Sequence, residues 1–132
     1  MKITADTNVL VRAVVGDDPA QSQAAIAALR GAEQIAVALP ALCEFVWVLR
    51  RVYAFPVAEI SAAIQALMAA GNVQLDRVAV EAGLAQLEAG GDFADAVIAQ
   101  EGQWLGGHIF VSFGRQAVAL LQKRGVAAEL LR

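Results

Sequence analysis

The chain has 132 residues, of which 58% are hydrophobic and 17% charged, with a mean hydropathy of +0.56. This composition excludes a disordered protein, and the length predicts one compact domain over residues 1–132. One cysteine and one histidine exclude an internal disulfide and a structural zinc site. The N-terminal segment lacks the pattern of a secretory signal, and no apolar run reaches about 18 residues, so we expect a cytoplasmic protein without a membrane span.

The spacing of apolar residues predicts short strands that alternate with helices. In chain order we expect a strand at 2–5, helices at 7–15 and 19–30, a strand at 35–38, helices at 40–53 and from 56 to about 71, a strand at 73–75, helices at 78–89 and 92–103, a strand at 109–111, a helix at 116–124 and an edge strand at 127–130. Gly31 is expected to end its helix in the left-handed conformation and Gly125 to close the last helix. Leu42, Phe45, Leu49 and Val52 are expected to face the core.

Apolar strands that alternate with helices are typical of an α/β fold, in which a short central parallel sheet of four to five strands is flanked by helices on both faces. Open sheets of this kind bind ligands at the carboxyl ends of their strands. Asp6 follows the first strand, and the segment from Ser112 to Gly114 follows the fourth. Both segments are therefore expected at the ligand-binding edge.

Glu44 lies in a helical segment that is apolar on nearly all sides, PALCEFVWVL, and is therefore expected to be buried. A buried carboxylate is costly unless a cation meets it. That cation is either a bound metal ion or the guanidinium of Arg50 or Arg51. The sequence leaves both interpretations open.

Three further carboxylates occupy the starts of predicted helices. Asp6 either caps the helix that begins at Thr7 or binds a ligand, and Asp92 and Asp95 either form a capping box or present two carboxylates on one helix face. Four acids from three segments, without a histidine or thiolate cluster, favour a hard cation such as Mg²⁺ or Mn²⁺. Because all three segments are expected at the ligand-binding edge, the metal interpretation is favoured.

The segments DTNVLV, ALCEFVWVL and DFADAVIA resemble, in order and spacing, the PIN-domain ribonucleases of the VapC toxin type. The resemblance covers nearly the whole chain, through the segment SFGRQAVALL. It implies a PIN-like fold with Asp6, Glu44 and Asp95 as metal ligands and Asp92 as an additional acid. Thr7, Asn8 and Ser112 match polar residues that orient the acidic cluster.

One position departs from the family pattern. After the fourth strand such proteins usually carry an acid, whereas this chain has Gly114 between Phe113 and Arg115. The resemblance therefore implies a degenerate acid position and attenuated activity. Arg12 and Arg115 follow the site segments closely and are candidates for contacts with RNA phosphates.

The leading hypothesis is an endoribonuclease toxin of a type II toxin–antitoxin system that cleaves phosphodiesters with a metal-activated water. The resemblance implies an RNA substrate such as a tRNA and a VapB-like antitoxin, and the low charged fraction predicts a homodimer. One alternative is a degenerate PIN-domain protein that only dimerises and binds antitoxin. Another is a phosphatase of the haloacid-dehalogenase type with Asp6 as nucleophile, although Asn8 stands where such enzymes need a second acid.

Four other residues belong to types that occur in catalytic or base-stacking sites. His108 is expected to lead into a strand, and Cys43 to fill apolar space. Trp47 and Trp104 fit core or interface packing better than stacking on bases.

Overall fold

The computed structural model describes all 132 residues and divides them into two compact units, Met1–Asp76 and Arg77–Arg132. Strands and helices alternate as β1 (Lys2–Thr4), α1 (Thr7–Val14), α2 (Pro19–Gly31), β2 (Gln34–Ala36), α3 (Leu39–Arg51), α4 (Val57–Ala69), β3 (Val73–Gln74), α5 (Arg77–Glu88), α6 (Phe93–Trp104), β4 (Phe110–Ser112), α7 (Arg115–Lys123) and β5 (Ala128–Leu130). The longest helices have 13 residues, and none combines the length and apolar character that a membrane crossing requires.

All strand pairs are parallel, which confirms the predicted α/β class. In the first unit β2 lies between β1 and β3, with Ile35 opposite both Ile3 and Val73. In the second unit β4 pairs with β5, with Val111 opposite Glu129. The five strands are therefore distributed as three and two rather than in one continuous sheet.

The first unit is built around apolar side chains from three helices and one strand. Leu10 of α1, Leu42 and Leu49 of α3, and Ile64 of α4 are almost completely buried, and Ile35 of β2 joins them. Val52 does not: its side chain is 61% exposed, because α3 ends at Arg51 and Val52 lies beyond the last regular turn. The prediction that Val52 faces the core was wrong.

Local signals set most helix ends. The Asp18 carboxylate accepts a hydrogen bond from the Gln21 amide at 3.1 Å, and Pro19 occupies the first turn of α2. Gly90, Gly106 and Gly125 adopt φ values of +97°, +94° and +81° after α5, α6 and α7. Gly31 lies inside α2 with ordinary helical geometry, so the left-handed end predicted there was wrong.

The second unit depends on a close approach between α5 and α6. Phe93, the first residue of α6, is completely buried, and its ring lies against Gly83 of α5. A Cβ atom at position 83 would lie 2.5 Å from Phe93 Cε2, inside the contact limit of two carbon atoms. Gly83 therefore allows Phe93 to fix the start of α6, which carries Asp92 and Asp95.

We predict that Gly83→Ala lowers the free energy of unfolding by about 1–3 kcal/mol, because a rigid aromatic ring must move to admit the methyl group. The matched control is Gly102→Ala in α6, where an added Cβ atom would meet nothing within 4 Å. That change should stabilise the protein by up to about 1 kcal/mol through helix propensity. Urea denaturation of both variants decides the point. Equal stability of Gly83→Ala and the parent protein would contradict the packing described.

Candidate metal and nucleic-acid site

Asp6 and Glu44 lie together in the first unit. They line an open pocket of about 430 Å³ whose other lining residues are Thr4, Ala5, Thr7, Ala38, Pro40 and Ala41. Thr4 ends β1, Ala5 follows it, and Ala38 follows β2, so the pocket lies at the carboxyl ends of two parallel strands. This is the predicted ligand-binding edge of the first unit.

Both helices that border this pocket begin at it. Asp6 is the N-cap of α1, and Ala38 is the N-cap of α3 without a side-chain hydrogen bond to the helix. Two helix N-termini give the pocket a positive partial charge, which favours ionised carboxylates and bound phosphate. The geometry suits groups that carry negative charge.

Asp6 caps α1 and still leaves carboxylate oxygens exposed. Its Oδ1 accepts a hydrogen bond from the Thr7 amide at 2.8 Å, so the capping interpretation is confirmed. The carboxylate is nevertheless exposed, while Thr7 is buried. Since one amide occupies one lone pair, the remaining lone pairs of Asp6 can still bind a cation.

Glu44 is exposed, contrary to the prediction that it is buried. The apolar neighbours in its sequence face in different directions: Leu42 and Phe45 enter the core, whereas Trp47 is 57% exposed. An apolar run therefore did not indicate an apolar environment at position 44. Exposure removes the desolvation cost and leaves the carboxylate at the mouth of the pocket with Asp6.

Asn8 and Arg12 belong to a different surface. They line a groove of about 460 Å³ between α1 and α2, with Val9, Gln21, Ala24, Ala25 and Ala28. The guanidinium of Arg12 forms an ion pair with Asp17, whose other carboxylate oxygen accepts a hydrogen bond from the Tyr53 hydroxyl at 3.1 Å. Any contact of Arg12 with an RNA phosphate would compete with this pair.

Asp92 and Asp95 lie in the first turn of α6 in the second unit. Asp92 is the N-cap, and its Oδ1 accepts a hydrogen bond from the Ala94 amide at 3.1 Å. Asp95 is half-buried, and burial together with the negative charge of Asp92 raises the pKa of its carboxyl group. Two carboxylates that repel each other in this way are stabilised by a cation that neutralises both.

Position 114 lies at the start of α7 in the same unit. Gly114 has φ −80° and ψ 109°, so it needs no glycine-specific conformation, and its amide donates a hydrogen bond to Ser112 Oγ at 2.9 Å. Arg115 follows as the first residue of α7 and is exposed. By accepting this hydrogen bond, the Ser112 hydroxyl stabilises the turn before α7.

Each unit thus brings two acids together, and neither unit by itself groups three or more carboxylate, imidazole or thiol side chains at metal-binding spacing. Oxygen donors in pairs, with room for water, fit the requirements of Mg²⁺ and Mn²⁺, which keep several water ligands. The donor set therefore fits a hard divalent ion completed by solvent or substrate oxygens.

Comparison with known protein families decides the affiliation. The family model of the PIN domain matches residues 3–117. The chain belongs to the PIN-domain family. PIN domains are typically nucleases and generally use divalent metal ions, and the match spans every acid considered above. A search of curated proteins finds no significant match to the chain.

The acidic candidate site does not include the two tryptophans, His108 or Cys43. Trp47 and Trp104 are 57% and 68% exposed, so neither indole packs in the core. Of the predicted core or interface packing, only the interface is left open, beside stacking on bases. His108 is exposed just before β4, as expected of a residue that leads into a strand. Cys43 is half-buried rather than fully buried.

We predict that Asp95→Asn raises the melting temperature at pH 7 by on the order of 1–3 °C. Because the pKa of Asp95 is higher in the folded than in the unfolded state, the folded state binds more protons, and stability decreases as the pH rises through that interval. The gain should therefore shrink as the pH is lowered from 7 to 4. Glu81→Gln, at an exposed position within α5, is the control and should leave the melting temperature unchanged. A lower melting temperature for Asp95→Asn at pH 7 would contradict the electrostatic account.

Proposed function

We propose that this PIN-domain protein is an Mg²⁺- or Mn²⁺-dependent endoribonuclease whose metal ligands come from Asp6, Glu44, Asp92 and Asp95. The observation that carries the proposal is the placement of Asp92 and Asp95 together in the first turn of α6, where burial and the charge of Asp92 raise the pKa of the Asp95 carboxyl group. The family membership supports the nuclease class, and favours it over the phosphatase alternative.

When bound, the divalent ion supplies an acidified water as nucleophile and stabilises charge on the phosphodiester oxygens. The residues of the chain contribute binding and orientation. Asp6 and Glu44 act as oxygen ligands from the pocket at the ends of β1 and β2, where the N-termini of α1 and α3 favour an incoming phosphate. Thr7 fixes the Asp6 carboxylate through its amide.

Asp92 and Asp95 contribute a second pair of ligand oxygens from the first turn of α6. The Ala94 amide holds one oxygen of Asp92, which leaves the other oxygen and both oxygens of Asp95 for the cation. In this role the four acids are ligands rather than nucleophiles. The exposed Arg115 at the start of α7 is proposed to contact the RNA backbone.

The finer biological proposal is a toxin of the VapC type that forms a homodimer and binds a VapB-like antitoxin, with a structured RNA such as a tRNA as substrate. PIN nucleases generally bind RNA and often pair with antitoxins. Large apolar side chains remain uncovered on both units, among them Trp47, Trp104, Leu105 and Phe113 at 57%, 68%, 83% and 75% exposure. Uncovered aromatic and aliphatic side chains of this kind are typical of protein interfaces.

We predict RNA cleavage that requires Mg²⁺ or Mn²⁺, stops with EDTA, and falls by about 100-fold or more in Asp6→Asn, Glu44→Gln and Asp95→Asn with the fold retained. Each change removes a ligand charge at nearly constant volume. Glu59→Gln, in the first turn of α4, is the matched control and should keep full activity. Cleavage that continues in EDTA would refute the metal mechanism, and absence of both cleavage and Mn²⁺ binding would favour the degenerate binding module.

We further predict that Gly114→Asp strengthens Mn²⁺ binding by roughly 10- to 100-fold, because it adds one ligand and one negative charge. The backbone at position 114 accepts the change, and its Cβ atom would lie 3.3 Å from Ser112 Oγ, a side-chain atom that can shift slightly.

Gly114→Asn separates the ligand effect from helix capping. Position 114 is the N-cap of α7 and has no side-chain cap at present, so both Asp and Asn should raise the melting temperature similarly. Only Asp should strengthen Mn²⁺ binding in calorimetry and increase RNA cleavage. Equal Mn²⁺ affinity of the two variants would show that position 114 does not contribute to the metal site.

A further inference from the structure

Two glutamines hold the turn that precedes the acid pair of the second unit. Gln116, in the first turn of α7, donates a hydrogen bond from Nε2 to the carbonyl oxygen of Gly90 at 3.2 Å. Gln86 of α5 is completely buried and donates from Nε2 to the carbonyl oxygen of Ala117 at 3.4 Å. The Gly90–Gly91 turn is thus tied to α7 directly, and α7 is tied back to α5.

The turn is closely packed at Gly91 and more open at Gly90, where an added Cβ atom would meet nothing within 4 Å. Gly90 has φ +97°, and the Gly91 amide donates to the carbonyl oxygen of Gln86 at 2.8 Å. A Cβ atom on Gly91 would lie 2.7 Å from Leu120 Cδ1 of α7 and 3.0 Å from Gln86 Cγ. The turn is therefore packed between α5 and α7, and Asp92 follows it immediately.

Gln116 lies at the exposed rim of this packing, where a hydrogen bond contributes little to stability. Its contact with Gly90 nevertheless adds a direct link between α7 and the turn that precedes Asp92. Without this link the Gly90 end of the turn is less restrained, which permits a small displacement of the adjacent Asp92. Gln116 therefore affects the position of the turn more than the free energy of unfolding.

We propose that Gln116 is a positioning residue that sets the spacing and direction of the Asp92 and Asp95 carboxylates by holding the Gly90 carbonyl against α7. The inference rests on the proposed function in so far as this pair binds the metal ion. Gln86 supports the arrangement from inside through its hydrogen bond to the carbonyl oxygen of Ala117.

The chain offers a closely matched control on the same helix. Gln122 of α7 also donates a hydrogen bond from Nε2 to a backbone carbonyl, that of Ala128 at 2.8 Å, and it is exposed as Gln116 is. Gln→Met at either position removes the donor with little change in side-chain length, helix propensity or charge. Only the Gln116 variant releases the turn before Asp92.

The experiment is Mn²⁺ titration of the full chain, followed by paramagnetic broadening of the Ala94 and Asp95 amide resonances. Gln116→Met should require about 10-fold more Mn²⁺ for half-broadening, whereas Gln122→Met should match the parent protein. Melting temperatures of the two variants should be similar. Equal Mn²⁺ dependence of both variants and the parent would overturn the proposal.

Hydrogen exchange of the Gly91 amide distinguishes failure of the positioning role of Gln116 from failure of the proposed metal function. Gln116→Met should accelerate that exchange several-fold in metal-free protein, and Gln122→Met should not. If the parent protein shows no Mn²⁺ broadening in α6, the metal function fails, and faster Gly91 exchange alone still supports the positioning role. Unchanged Gly91 exchange in Gln116→Met would refute the positioning role whether or not the metal binds.

Discussion

Repulsion between carboxylates at helix starts is the constraint on which the site depends. Asp92 and Asp95 occupy one turn of α6, and burial with mutual charge raises the pKa of Asp95. The chain keeps this unfavourable arrangement in place by rigid means: the Gly83–Phe93 contact fixes the first residue of α6, and the Gly90–Gly91 turn is clamped between α5 and α7. Groups with perturbed pKa values held in rigid surroundings are typical of functional sites.

In the first unit the acid pair lies next to two helix N-termini. Asp6 and Glu44 are both exposed and therefore retain water, and the N-termini of α1 and α3 add positive potential at the same pocket. Such a pocket accepts a hydrated divalent ion and a phosphate oxygen without burying an isolated charge. The two pairs thus differ in environment: Asp6 and Glu44 are exposed, whereas Asp95 is half-buried beside Asp92.

The order and type of the elements could be predicted from the sequence because local signals determine them. Asp18 and Asp92 cap helices as predicted, and Gly125 ends α7 in the left-handed conformation. The division of the strands into three and two could not be predicted, because strand pairing depends on distant contacts. The burial of Glu44 was predicted wrongly, since the neighbours of a helical residue in sequence point in different directions from it. Gln86 and Gln116 were missed, although a glutamine on the apolar face of α5 was a readable signal.

That these acids bind a hard divalent cation can be tested by anomalous diffraction from crystals of the protein grown with Mn²⁺. We expect anomalous density at the carboxylate oxygens of these acids, Asp95 among them, and loss of the density at position 95 in Asp95→Asn. Crystals that contain ordered acidic side chains and no Mn²⁺ peak near them, or a peak held only by other residues, would contradict it.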